Sequence, residues 1–152
     1  MMRFEKHVII QLTSEQWSNG EVMPAIRLTT EGKLTEQNGT WEVRYDESEA
    51  TGMAGTKTSI SLSPSGAVRL KRRGRFEMDM VFRAGQHHLS QIEMPYGILS
   101  FQLTTNEARG HLDADGGELS LSYSLDFDKN SVISTNLTLT VQSSESRKSL
   151  PQ

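Results

Sequence analysis

Apolar and polar residues alternate along most of this chain. From Glu118 to Asp128, Leu119, Leu121, Tyr123, Leu125 and Phe127 share one parity, and Ser120, Ser122, Ser124 and Asp126 the other. Further on, Ile133, Leu137, Leu139 and Val141 oppose Ser134, Asn136, Thr138 and Thr140. A period of two marks a strand with one face on a core and the other in water. Asp128-Lys129-Asn130-Ser131 between the runs is turn-forming, so Glu118 to Gln142 is predicted to be one long hairpin.

Similar alternation recurs upstream. Val8, Ile10 and Leu12 are in phase, as are Ile26, Leu28, Thr30 and Leu34, and then Trp41, Val43 and Tyr45. Ile60 and Leu62, Val68 and Leu70, Phe76 to Phe82, and Leu99, Phe101 and Leu103 continue the pattern. Ser14 to Glu21 and Glu47 to Gly55 read as loops, Gln86 to Met94 as a less apolar strand, and Ala108 to Asp113 as a short separate one. Gly32 predicts a bulge or sharp bend. Asn38-Gly39 predicts a two-residue type I′ hairpin, because both central residues must take positive φ. No segment shows a helical period.

Roughly ten strands joined by Gly, Asn and Pro turns make an antiparallel meander. Strands that bury one face need a closed sheet or a second sheet to cover it. The expected fold is all-β, a meander closed into a barrel of about eight to ten strands, with a two-sheet sandwich as the alternative. The length of 152 residues suits one domain, taken as residues 1–142, with a disordered polar tail at 143–152.

Composition narrows the function classes. The net charge of −3 gives no global basic surface, so neither nucleic acid nor membrane is an expected partner. No run approaches the roughly 20 apolar residues of a membrane span. The amino-terminal stretch lacks a signal-peptide pattern. With no cysteine in the chain, disulfides and thiolate chemistry are excluded, which suits a reducing compartment. The expected location is cytoplasmic.

Arg69 to Arg75 holds five of the sixteen Lys and Arg residues. Arg69, Lys71 and Arg73 share one strand face and read as a solvated surface. Arg72 has the parity of Val68 and Leu70 and is directed inward, where a charge must be paired, solvated or at the barrel mouth. Tyr45 and Tyr123 also have inward parity. An inward guanidinium with two inward phenols suits a carboxylate or phosphate, so Arg72, Tyr123 and Tyr45 are the candidate ligand-binding residues. The plainer reading is that Arg72 extends outward at the strand end. Met78, Met80 and Phe82 read as ordinary core before they read as a pliable pocket.

His7, His87, His88 and His111 are scattered without metal-ligand spacing, so no metal is expected. Nucleotide fingerprints and nucleophile elbows are absent, and no cofactor is expected.

Arg72-Arg73-Gly74, Phe82-Arg83-Ala84-Gly85 and Met94-Pro95-Tyr96-Gly97 occur in an order that resembles the YwiB-like family of uncharacterised bacterial proteins. Gly117-Glu118-Leu119-Ser120-Leu121-Ser122-Tyr123 and Asn136-Leu137-Thr138-Leu139 carry the likeness to about Val141. The resemblance starts near Ile26 and implies a calycin-like barrel, related in shape to lipocalins, with no established activity. The first functional expectation is a non-enzymatic module binding a small, partly apolar or anionic molecule. A filled structural or protein-interaction domain is second, and a hydrolase using Arg72 to clamp an anionic substrate is last. The sequence is silent on oligomeric state.

Overall fold

The alternating runs become strands in the computed structural model, which describes residues 4–128 and 131–144. In chain order they are β1 (Phe4–Ser18), β2 (Glu21–Val22), β3 (Ile26–Gln37), β4 (Thr40–Asp46), β5 (Thr56–Leu62) and β6 (Val68–Gly74). They continue as β7 (Glu77–Phe82), β8 (His87–Met94), β9 (Gly97–Asp113), β10 (Gly116–Asp128) and β11 (Ser131–Ser143). Neighbours pair antiparallel, and β11 returns to β1 in register from Val8↔Ser143 to Ser18↔Ile133. Ten strands thereby close into a barrel, with the two-residue β2 attached to the end of β1. Closure, the expected alternative to a sandwich, gives both outer strands of the meander a partner.

Long-range pairing extends several elements beyond their local signals. β1 runs on to Ser18 because β11 supplies ladder partners that far. The predicted loop at Ser14 to Glu21 is therefore mostly strand, reversed at Asn19-Gly20 with φ of 51° and 86°. Those values match the predicted type I′ turn at Asn38-Gly39, where φ is 53° and 85°. β9 is one 17-residue strand where two were expected. Tyr123 stands opposite Thr105 but Ser122 opposite Glu107, so Asn106 is an extra, bulged residue. The bulge shifts the inward parity from Leu103 and Thr105 to Leu112, which hid the continuity in the sequence.

Within the predicted Glu47–Gly55 loop, Glu49–Thr51 forms a single 3-10 turn, and the Ser48 hydroxyl accepts the Ala50 N–H at 3.2 Å. Ser143, placed at the start of the predicted tail, is a buried strand residue. Lys129 and Asn130 of the predicted turn, and residues 145–152 of the tail, lie outside the described residues.

Inward positions of all the long strands form the core. Val8, Ile10, Leu34, Val43, Ile60, Val68, Leu70, Met80, Phe82, Leu103, Leu119 and Leu139 are essentially sealed from water. Each such side chain contributes about 1.5–3 kcal/mol of burial energy. Met80 and Phe82 belong to this core, as the plainer reading held. Beyond it, towards the β4–β5, β6–β7 and β8–β9 turns, the same inward parity carries polar residues: Tyr45, Thr58, Arg72, Thr105, Tyr123 and Thr135.

One seam in the wall is weak. β7 and β8 share only the register pairs Glu77↔Glu93 and Met78↔Ile92. Above these, side chains replace the backbone ladder: the Ser90 hydroxyl donates to the Asp79 carbonyl at 3.3 Å, and His88 Nε2 lies 2.7 Å from the Val81 carbonyl oxygen.

Candidate functional site

Two rows of cross-strand neighbours build the polar layer. On one wall Tyr45, Thr58 and Arg72 stand opposite one another on β4, β5 and β6. On the other, Thr105, Tyr123 and Thr135 do so on β9, β10 and β11. Inward side chains of a closed sheet converge, and the Arg72 charge acts on both Tyr45 and Tyr123. Sequence parity assigned these three residues separately; the fold brings them into one layer. Phe82 packs against Tyr123 with ring centroids 4.8 Å apart, joining this layer to the apolar core.

The residue missed in the sequence is Glu47. Its side chain is 1% exposed, and its Oε2 lies 3.7 Å from Arg72 Nε. The Thr58 hydroxyl donates to Oε2 at 2.5 Å, and the Thr51 hydroxyl to Oε1 at 2.8 Å. The Glu47 N–H bonds the Thr56 carbonyl at 2.8 Å, continuing the β4–β5 ladder one step past the strand end. A signal was present: Val43, Tyr45 and Glu47 share one parity. The loop composition around Glu47 masked it.

Arg72 is 14% exposed at its side chain and faces Glu47. Its Nε is buried with no hydrogen-bond partner, and the Thr105 and Thr135 hydroxyls are in the same condition. A buried donor left unbonded costs about 1–3 kcal/mol, and more when charged. The layer therefore combines one ion pair with unmet hydrogen-bonding capacity. Where β7 parts from β8, a recess of about 310 Å³ opens beside Arg72, walled by Arg73 and Met78, by the carboxylates Glu77, Asp79 and Glu93, and by Ser90 and Gln91. That volume is near the lower size of small-molecule sites.

Burial pushes the Tyr45 phenol well above its ordinary range, and the Glu47 carboxylate adds to the rise while Arg72 opposes it. Burial likewise raises Tyr123, against the pull of Arg72 and then of Thr135. Both phenols keep their protons in the barrel where the unfolded chain releases them, so the unfolded state binds fewer protons. Their stabilising effect is complete below about pH 10 and falls away as pH rises above that value. Tyr96→Phe leaves these two as the chain's remaining tyrosines. Phenolate absorbance in that variant is expected to appear together with alkaline unfolding. Ionisation of either phenol while the circular dichroism remains native would contradict the burial argument.

Among the described residues no cluster of three His, Cys, Asp or Glu side chains is arranged to hold a metal. No helix among them is long and apolar enough to cross a membrane.

The family described as "Domain of unknown function (DUF1934)" matches residues 10–139. That span runs from β1 to β11, further towards the amino terminus than the residues that carried the resemblance. Among solved structures, the ywiB protein from Bacillus subtilis superposes with a TM-score of 0.81 at 22% sequence identity. The superposition covers 91% of this chain and 92% of that one. At this identity the likeness establishes the fold, a closed antiparallel β-barrel. No curated protein matches the chain.

Proposed function

We propose that this chain, which belongs to the DUF1934 family, is a non-enzymatic binding module whose polar layer receives a small molecule. The ligand class is partly apolar with an anionic head, and the head docks against Arg72. The observation that carries the reading is the Arg72 guanidinium: its Nε is buried without a bond, and it lines the recess at the β7–β8 seam. A carboxylate or phosphate oxygen there completes a charge-assisted hydrogen bond that Glu47, at 3.7 Å, does not make. Tyr45 and Tyr123 belong to the same polar layer as Arg72 and would face a head group that reaches past it. Met78 on the recess wall suits the apolar part.

Hydrolysis is the weaker reading. Glu47 is the buried carboxylate an enzyme would require, but its two oxygens already accept the Thr51 and Thr58 hydroxyls. That arrangement holds the β4–β5 connection in place more readily than it moves protons. The proposal places the barrel in the cytoplasm, which the lack of cysteines suits.

The β8–β9 hairpin supports a second reading as a protein-interaction domain. Leu89, Tyr96, Ile98 and Leu99 are exposed along it.

One experiment separates the two. Native mass spectrometry of protein purified from the cells that naturally make it is expected to show a retained small-molecule mass. That mass should be absent from the Glu47→Leu/Arg72→Met protein, in which the pair is replaced by apolar side chains of similar size. A bare chain mass for both proteins contradicts the binding reading, and a stable multimer without added small mass favours the interaction domain.

A further inference from the structure

The barrel's outer surface carries a second feature, which shares Tyr45 and Thr58 with the interior layer but draws its charged residues from the outward positions. Over β3, β4, β5 and β6 lies an open groove of about 620 Å³, within the usual range for small-molecule sites. Five of the chain's sixteen Lys and Arg residues line it, against three of its nineteen Asp and Glu, and His7 stands at its edge. The groove is thus positive in a chain whose net charge is negative.

Strand register places these cations side by side. His7 stands opposite Lys33, Lys33 opposite Arg44, Arg44 opposite Ser59, and Ser59 opposite Lys71. A second row runs from Lys57 to Arg73. Lys33 and Arg44 are like charges directly across a ladder, an arrangement that destabilises a sheet. Neighbouring carboxylates neutralise it only in part. Arg44 lies 3.8 Å from Glu5 and 3.4 Å from Glu42, and Lys57 lies 3.7 Å from Asp46. Asp79, opposite Lys71, is already held by Arg69 through bonds of 2.9 and 2.6 Å. Among the described residues, Lys33, Lys71 and Arg73 have no carboxylate within 4.0 Å. Ser59, the short side chain between Arg44 and Lys71, leaves the middle of the row open.

We propose that this groove binds a compact anion carrying two or more phosphate groups. Adjacent strands lie about 4.8 Å apart and same-face residues about 7 Å apart along a strand. Cations at those intervals can engage neighbouring phosphates of one small molecule at once. No Trp or Phe lines the groove, and the Tyr45 in its lining is buried, so it offers no large exposed aromatic ring for stacking a base. Glu31, Glu42 and Asp46 along the same groove oppose a long polyanion, which selects a short phosphate chain over nucleic acid.

Calorimetric titration with inorganic triphosphate, orthophosphate, ATP and a short single-stranded RNA, at matched ionic strength, tests the proposal. Triphosphate is expected to bind one per barrel, at least about tenfold tighter than orthophosphate, and to weaken as salt rises. Lys71→Gln/Arg73→Gln should lower that affinity at least about tenfold with the fold intact by circular dichroism, and Lys33→Gln should also weaken it. The Glu47→Leu/Arg72→Met protein should bind triphosphate as the wild type does, which separates this site from the interior one. ATP binding equal to triphosphate identifies the phosphate chain as the recognised part. Equal affinity for orthophosphate and triphosphate, an unchanged Lys71→Gln/Arg73→Gln protein, or tighter binding to the RNA overturns the proposal.

Discussion

Glu47→Gln is expected to cost the barrel about 3–5 kcal/mol of stability. The substitution preserves side-chain shape but removes the charge facing Arg72, whose guanidinium is largely buried. What remains is a cation in a low-dielectric interior without its counterion, and the cost of leaving it there exceeds the net value of the intact pair. Residual solvent access to Arg72 favours the lower end of the range. In urea the unfolding midpoint should fall by about 1–3 M, given ordinary denaturant slopes. Glu47→Leu/Arg72→Met should recover most of the loss, because a buried pair can be exchanged for packed apolar groups at little cost. Strictly additive single losses in the double variant would show that the two residues are not coupled.

Gly117→Ala is expected to cost at least about 3 kcal/mol, combining backbone strain with overpacking. Gly117 has φ of 147°, and a Cβ there would collide with the His111 carbonyl oxygen and sit 3.1 Å from Leu112 Cα. Both obstacles are backbone of the neighbouring β9, so no change of rotamer relieves them. Gly85→Ala is the matching control. It also has positive φ, at 80°, but its Cβ would meet nothing within 4 Å. Its cost should stay near the ordinary penalty for losing glycine at positive φ, about 1–2 kcal/mol. Equal thermal shifts for the two variants would show that the close β9–β10 approach at Gly117 is not what its glycine serves.

The polar layer was only partly legible before the fold was known. Arg72, Tyr45 and Tyr123 were assigned inward by parity, because each sits two residues from an apolar strand neighbour. Thr58, Thr105 and Thr135 have the same parity, but a threonine on a strand carries no signal of its own. Glu47 followed the rule as well, lying two residues beyond Tyr45, yet it falls among loop-like residues. The Glu47–Thr56 backbone bond extends the sheet to it. Within the Arg69–Arg75 run, Arg69, Lys71 and Arg73 read as the solvated face of one strand. The cations that meet Lys71 and Arg73 across the groove come from β3, β4 and β5, and no pattern within that run announces them.

What the sequence by itself determined is the face of nearly every strand residue, and with it the all-β class, the meander and the apolar core. Facing is a local property: a two-residue period needs no distant partner to be expressed. The tertiary structure decided which faces meet. Closure of β11 onto β1 lengthened β1, the bulge at Asn106 reset parity within β9, and the short β7–β8 ladder opened the recess beside Arg72. Register then set Arg72 against Glu47 inside the barrel and Lys33 beside Arg44 outside it. These are contacts between residues far apart in the chain, fixed by cooperative pairing of the whole sheet, and so they lie beyond any local pattern.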